Sequence, residues 1–167
     1  MAPGTATHRA SGGASGRASG KASLRLWLRL LSCSNRIERE VRARLRREFS
    51  ATLPRFDMMA ALERAPDGLS MGELSRHLMV SNGNVTGVAD RLVREGLARR
   101  WSPPADRRSS RIALTPRGRL DFAAMAKQHK NWIDGLLSGL TAAERETLMA
   151  LLAKVKISLG DEGRDAA

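Results

Sequence analysis

SMGELSRHLMVSNGNVTGVADRLVREGL, residues 70–97, decides the fold. Ser70 followed three residues later by Glu73 has the spacing of a capping box. In that motif hydroxyl and carboxylate satisfy each other's backbone N–H, so a short helix is expected to start here and run through Leu74 and Leu78. Two or three residues later Ser81 can cap a second helix, with Val85, Val88, Ala89, Leu92 and Val93 as its apolar positions. It is expected to stop at Gly96, the residue type that accepts the left-handed C-terminal conformation without a Cβ clash. Two helices joined by so short a turn have helix-turn-helix spacing. The second helix opens with Ser81, Asn82, Gly83, Asn84 and Thr86, small polar groups that let a backbone approach a major groove and meet base edges. Further along, Arg91 and Arg94 lie about a turn apart, where arginines can reach phosphates. Taken alone, Ser81 and Asn82 read more simply as a cap and a turn. Their context, a preceding helix at this spacing and a basic segment behind, favours the groove.

After Gly96 the apolar period changes. Leu97–Trp101 and Ser110–Leu114 read as two short strands bridged by Pro103-Pro104 and the charged cluster Asp106-Arg107-Arg108. This predicts a β-hairpin with a basic tip, whose Arg107, Arg108 and Arg111 could enter a minor groove beside the helix, although most such charged clusters are solvated turns. Thr115-Pro116 then starts a helix carrying Leu120, Phe122, Met125, Trp132, Ile133, Leu136 and Leu137 to about Gly139. Thr141 with Glu144 is a second capping box, followed by the stripe Leu148, Leu151, Leu152, Val155 and Leu159. Upstream, Leu24 to Phe49 contains no Gly or Pro, and Leu24, Trp27, Leu28, Leu31, Ile37, Val41, Leu45 and Phe49 recur mostly at three- and four-residue steps. That is a helix of about 39 Å at ~1.5 Å per residue, longer than a small monomer needs to cover its core. Pro54 sits at the start of the next helix, which carries Phe56, Met59, Ala60 and Leu62 until Pro66-Asp67-Gly68 interrupts it. The fold expected is mainly α, a winged helix-turn-helix flanked by long helices.

With 167 residues the chain fits one domain plus a tail. Residues 1–22 are Ala, Gly, Ser and Thr with scattered basic groups, too poor in apolar side chains to offset the entropy of ordering, and are expected to form a disordered basic arm. A net charge of +12 points to a polyanionic partner. No apolar run approaches the roughly 18 residues that a spanning helix requires, and no signal-peptide core is seen, so a cytoplasmic protein without a membrane partner is expected. The single cysteine, Cys33, excludes an intrachain disulfide and a cysteine cluster for a metal. It is expected to be a buried structural residue. His8, His77 and His129 lack metal-ligand spacing. Paired carboxylates, a nucleophile with its base and a phosphate loop are all missing from any believable context, so neither an enzyme nor a cofactor is expected.

The succession Leu53-Pro54-Arg55-Phe56, Leu92-Val93-Arg94-Glu95-Gly96-Leu97, Asp106-Arg107-Arg108 and Leu114-Thr115-Pro116-Arg117-Gly118 resembles the MarR family over about residues 24–159. The most specific part is Asp-x-Arg followed by Leu-Thr-x-x-Gly. The resemblance implies a homodimer built from the first and last two helices, which places dimerisation helices at residues 23–50 and 116–160. It puts the winged helix at 52–115 of a domain spanning 23–160, with 161–167 a frayed tail. It implies double-stranded DNA as partner, a pseudo-palindromic operator with half-sites ~10 base pairs apart. The DNA-contact set it gives is Ser70, Ser81, Asn82, Asn84, Thr86, Arg91, Arg94, Asp106, Arg107 and Arg108, with Arg108 in the minor groove. Gly87 departs from the basic residue many members carry there.

The same resemblance implies repression relieved by a small-molecule effector held between the dimer helices and the winged part. Trp27, Phe56, Met58, Met59 and Trp132 are candidate walls, although such residues at helical spacing are more often core. Residues 24–34, 52–61 and 75–90 are similar to a subgroup that controls aromatic-acid degradation and responds to hydroxycinnamoyl-CoA thioesters. Arg25, Arg29 and Arg36 would then hold the phosphates of an aromatic acyl-CoA, though they serve equally as a face toward solvent or DNA. A redox role for Cys33 lacks the activating tyrosines that some relatives use, since the chain has none. The competing reading is a non-specific basic DNA-binding architectural protein held by counterion release alone.

Overall fold

The computed structural model describes residues 13–78, 82–102 and 110–160; the side chains of 13–19 and 82–84 lie outside that description. The chain runs α1 (Gly13–Phe49), α2 (Leu53–Glu63), β1 (Leu69–Ser70), α3 (Met71–Leu78), α4 (Asn82–Arg94), β2 (Ala98–Trp101), β3 (Arg111–Leu114), α5 (Pro116–Leu136) and α6 (Ala142–Ser158). Architecture and element order are those expected: a mainly helical chain with a small antiparallel sheet.

Two elements differ from expectation. α1 starts at Gly13, inside the stretch read as a disordered arm. Adding a residue to an existing helix fixes one residue for one hydrogen bond, so a leader of Ala, Gly and Ser can extend a helix that it could not nucleate. The other difference is β1, too short to show a period of its own. It makes the sheet three-stranded in the order β1-β3-β2, with Leu69 opposite Ile112 and Ala98 opposite Leu114. β3 is thus central, and its Ile112, Ala113 and Leu114 are all buried. Gly68 turns the chain into β1 at φ +78°, and a Cβ there would lie 2.5 Å from the Trp101 ring.

The core is a single cluster in which Leu45, Met58, Met59, Leu62, Leu74, Leu92 and Ile112 are fully enclosed, joined by Met125 and Trp132 of α5. α1 gives it only its C-terminal part. The chain leaves α1 through Ser50, a non-glycine residue at φ +50°, and enters α2 behind Thr52, whose hydroxyl accepts from the Arg55 N–H at 3.4 Å.

The Leu-Thr-x-x-Gly segment locks the end of α4 to the start of α5. Thr115 caps α5, its hydroxyl accepting from the Gly118 N–H at 3.0 Å and donating to the Gly96 carbonyl at 2.8 Å. Its N–H donates to the Leu97 carbonyl at 3.0 Å. Gly118 packs so tightly that a Cβ would fall 1.9 Å from that same carbonyl oxygen. The motif is a backbone joint, which explains why its residue types are so restricted.

α6 stands apart. Its capping box is formed, Thr141 with Glu144, yet it buries no residue. Leu148, Met149, Leu151, Leu152 and Val155 are exposed along it, as are Leu24, Trp27, Leu28 and Leu31 along α1.

Candidate nucleic-acid interface

The pair α3–α4 is built as its sequence requires. The Ser70 N–H donates to Glu73 Oε2 at 2.7 Å and the Glu73 N–H donates to Ser70 Oγ at 3.2 Å, closing the capping box. Those bonds, with Arg111 and Arg76 nearby, hold the Glu73 carboxyl below its ordinary pKa against a small desolvation penalty. The half-buried Ser70 hydroxyl is therefore occupied in starting α3. At the far end of α4 the Gly96 N–H donates to the Val93 carbonyl at 3.0 Å and the Leu97 N–H to the Leu92 carbonyl at 2.9 Å, with Gly96 at φ +71°. This is a Schellman stop, with buried Leu97 and Leu92 as its apolar contact.

α4 buries Val85, Ala89 and Leu92, and turns Thr86, Gly87, Asp90, Arg91 and Arg94 outward. Asn82 and Asn84 lie in its first turn, while Ser81, Asp106, Arg107 and Arg108 fall outside the described residues. Arg94 has no carboxylate partner among the described residues. Arg91 does: its Nε donates to Glu95 Oε1 at 3.0 Å, and Glu95 Oε2 meets Arg55 Nη1 of α2 at 2.6 Å. Desolvation works against the ionised Glu95, but the Arg91 hydrogen bond and the Arg55 charge outweigh it and hold the carboxyl below the usual range. On the other flank Arg100 Nη1 pairs with Asp90 Oδ1 at 2.9 Å, tying β2 to α4, and Arg99 stacks over Trp101 at 4.6 Å. The more exposed of these pairs, Arg91–Glu95 and Arg100–Asp90, each contribute little to stability, roughly 0–1 kcal/mol. Their effect here is to fix the direction of charged groups around α4. The sequence reading missed Arg55, Glu95, Asp90 and Arg100 as members of this surface. Arg91 and Glu95, four apart on one helix, were its only visible signal.

The residues read as walls of an effector cleft are dispersed. Phe56, Met58, Met59 and Trp132 are buried, and Met58 and Met59 are fully enclosed. Phe56 packs against His129 at 4.7 Å and Phe122 at 5.6 Å, and Trp132 against Phe49 at 6.1 Å. Burial among these rings lowers the His129 pKa. Trp27, Arg25, Arg29 and Arg36 are exposed on α1, away from that cluster. Cys33 is also exposed, contrary to expectation, because the stripe that precedes it faces outward rather than into the core of its own chain. Two cavities instead border α2. One, toward α3, is lined by residues that include Asp57, Arg64 and His77. Asp57 is exposed as a residue, but desolvation of its carboxyl, with Glu38 adding to it and Arg42 opposing, raises its pKa. The other cavity lies toward α4 and includes Arg55, Gly87 and Arg91. Among the described residues no cluster of His, Cys, Asp or Glu could hold a metal, and no helix is long and apolar enough to cross a membrane.

Two helices at this spacing, the second with a small-residue outer face and followed by an antiparallel ribbon, define a winged helix-turn-helix. The family model described as MarR family matches residues 51–109, from the start of α2 into the segment between β2 and β3. The chain is similar to the HTH-type transcriptional regulator PecS of Dickeya dadantii, 34% identical over 103 residues that cover 60% of this chain and 62% of that protein. It is 32% identical to the transcriptional activatory protein BadR of Rhodopseudomonas palustris, covering 61% of this chain and 59% of the relative. The chain thus spans about 60% of the length of these curated relatives. Among solved structures, a MarR family transcriptional regulator from Silicibacter pomeroyi superposes with a TM-score of 0.72 at 32% identity, covering 84% of this chain and 97% of the other. The chain belongs to the MarR family, whose matched members are named as transcription regulators and not as enzymes.

Proposed function

We propose that this chain is a sequence-specific DNA-binding transcription regulator that acts as a homodimer on a pseudo-palindromic operator. The observation that carries the reading is the outer face of α4, where Thr86 and Gly87 keep the helix slim and Arg91 and Arg94 follow one and two turns on. A slim helix start admits close approach to base edges, and the arginines supply phosphate contacts. Ser81, Asn82, Asn84 and Thr86 are the base-reading set in this proposal, Arg91 and Arg94 the phosphate set, and Asp106, Arg107 and Arg108 the wing. Ser70 acts by fixing the start of α3.

The dimer follows from surface that one chain leaves uncovered. A 17-residue helix that buries nothing, with Leu148, Leu151, Leu152 and Val155 exposed, has an apolar face without a counterpart among the described residues of its own chain. The exposed stripe on α1 has the same need. Pairing two copies covers both and sets two recognition helices at a two-fold repeat.

The finer reading is a cytoplasmic repressor released by an aromatic ligand or its CoA thioester. The exposed Arg25, Arg29 and Arg36 and the neighbouring Trp27 support it, since they combine phosphate-binding charge with an aromatic surface. The test is a competition titration between the DNA flanking the protein's own gene and a scrambled duplex at physiological salt, repeated with p-coumaroyl-CoA and its free acid. Selective binding that the thioester abolishes is the expected result. Selective binding indifferent to both compounds overturns the effector, and equal binding to both duplexes overturns the regulator in favour of a non-specific binder.

A further inference from the structure

The cavity between the α1–α2 turn and α4 has a volume of about 240 Å³. Arg55 of α2 and the N-cap Thr52 before it contribute to its lining, and α4 contributes Gly87, Val88 and Arg91. Gly87 is what keeps it open. A Cβ at that position would meet nothing within 4 Å, so packing does not demand glycine there. Nor does the backbone, because the residue is helical, where glycine is disfavoured relative to almost any alternative. A helix-weakening residue with no steric reason to be present, beside two guanidinium groups, has the consequence of space.

That space is electropositive. Arg55 and Arg91 share one carboxylate, Glu95, so the pocket keeps an excess of positive charge. The Arg55 side chain is only 17% exposed, and its Nε is buried without an acceptor among the described residues. A buried guanidinium N–H ordinarily has an acceptor. The start of α2, an 11-residue helix, adds backbone N–H groups and the positive end of its dipole beside Thr52.

We infer that this cavity is an oxyanion site, in which a phosphate-like group seats between Arg55 and Arg91 and competes with Glu95 for them. About 240 Å³ lies below the roughly 300–1,000 Å³ of pockets that hold drug-sized ligands, so the occupant is a small anion or one phosphate of a larger molecule, not a whole acyl-CoA. Two sources offer that chemistry: free phosphate, and the backbone of bound DNA. The second rests on the proposed role of α4 at the groove; the first does not. With DNA as the source, Arg55 and Arg91 take up the phosphate contact that a basic residue at position 87 would otherwise make.

The test uses the full chain and two variants: Gly87→Leu, which fills the cavity from a position with room for a side chain, and Arg91→Gln, at a largely exposed site. Far-UV circular dichroism first shows that both fold. In the first arm sodium phosphate is titrated at constant ionic strength, with chloride as control, and binding is read from the chemical shifts of the arginine side-chain N–H groups. In the second arm methylphosphonate replaces single phosphates of the tightest duplex recovered from a random library. Saturable phosphate binding that weakens at least tenfold in both variants assigns the site to a free anion. Failing that, a methylphosphonate position that costs the native protein at least threefold in affinity and costs the Gly87→Leu protein nothing further assigns it to DNA. Neither result, or phosphate binding indifferent to both variants, overturns the inference. Absence of any duplex preferred over bulk DNA would instead count against the proposed function and leave the first arm standing.

Discussion

Gly118→Ala should be among the most destabilising single-methyl additions this fold can suffer. The new Cβ would lie 1.9 Å from the Leu97 carbonyl oxygen, where ordinary contact needs at least 3.4 Å, so the two backbones must part by ~1.5 Å. Neither neighbour is the flexible end of a side chain. The separation strains the Thr115 hydroxyl bond to the Gly96 carbonyl, at 2.8 Å, and the Thr115 N–H bond to Leu97, at 3.0 Å. Losing both at about 1 kcal/mol each, with partial desolvated groups left behind, costs ~2–4 kcal/mol. Replacing glycine by alanine in a helix returns about 1 kcal/mol, so the net expectation is ~1–3 kcal/mol of destabilisation. Gly87→Ala is the control, with the same helix gain and open space around the Cβ, and should be stabilising by about 0.5–1 kcal/mol. Urea unfolding followed by circular dichroism, at one fixed protomer concentration, measures both. A Gly118→Ala protein as stable as the parent, or one stabilised as much as the Gly87→Ala control, would refute the joint between α4 and α5.

Leu151→Glu combined with Leu152→Glu puts charge into the exposed α6 face and should halve the mass seen by sedimentation, while the circular dichroism of the winged part is kept; an unchanged mass places the interface elsewhere. Arg94→Ala should weaken operator and random DNA about equally and reduce the slope of log K against log salt by about 1, because a phosphate contact carries no sequence information. His129 has its pKa lowered by burial, so the folded state prefers the neutral ring and the unfolded chain takes up the proton first. The sign follows: His129 favours the fold above the unfolded-state pKa near 6.5, and that contribution is lost as the pH falls below it. The urea midpoint should therefore drop between pH 7.5 and pH 5.5, and His129→Phe, which keeps a ring against Phe56, should flatten the drop; an unaltered profile would clear His129 of the effect.

Much of this architecture was legible because its punctuation is local. Ser70 with Glu73, Thr141 with Glu144 and Gly96 after Leu92-Val93 each specify a helix end through bonds spanning three to five residues, and each is formed as read. β1 was invisible because two residues carry no periodicity, and its existence depends on the outer edge of β3. The ion pairs around α4 were only partly readable. Arg91 and Glu95 lie four apart at the end of α4, whereas Arg55 and Glu95 are joined by the packing of α2 on α4, and Arg100 and Asp90 by the turn of β2 back along it. The apolar stripes misled for a related reason. Trp27 and Met59 both sit at helical spacing, but one is more than half exposed and the other fully enclosed, and period alone does not say which surface a stripe meets. In the sequence Gly87 stands out only as a departure from a basic residue; the cavity beside it is lined by residues of two helices, Arg55 and Gly87 lying more than thirty positions apart.

The most direct test of the account is a hydroxyl-radical footprint of the full protein on the tightest duplex selected from a random library. Two protected half-sites related by a two-fold axis and ~10 base pairs apart centre to centre are expected, with protection lost together when Asn82 and Asn84 are both changed to alanine. Uniform protection without a preferred sequence or symmetry, unaffected by those changes, would contradict it.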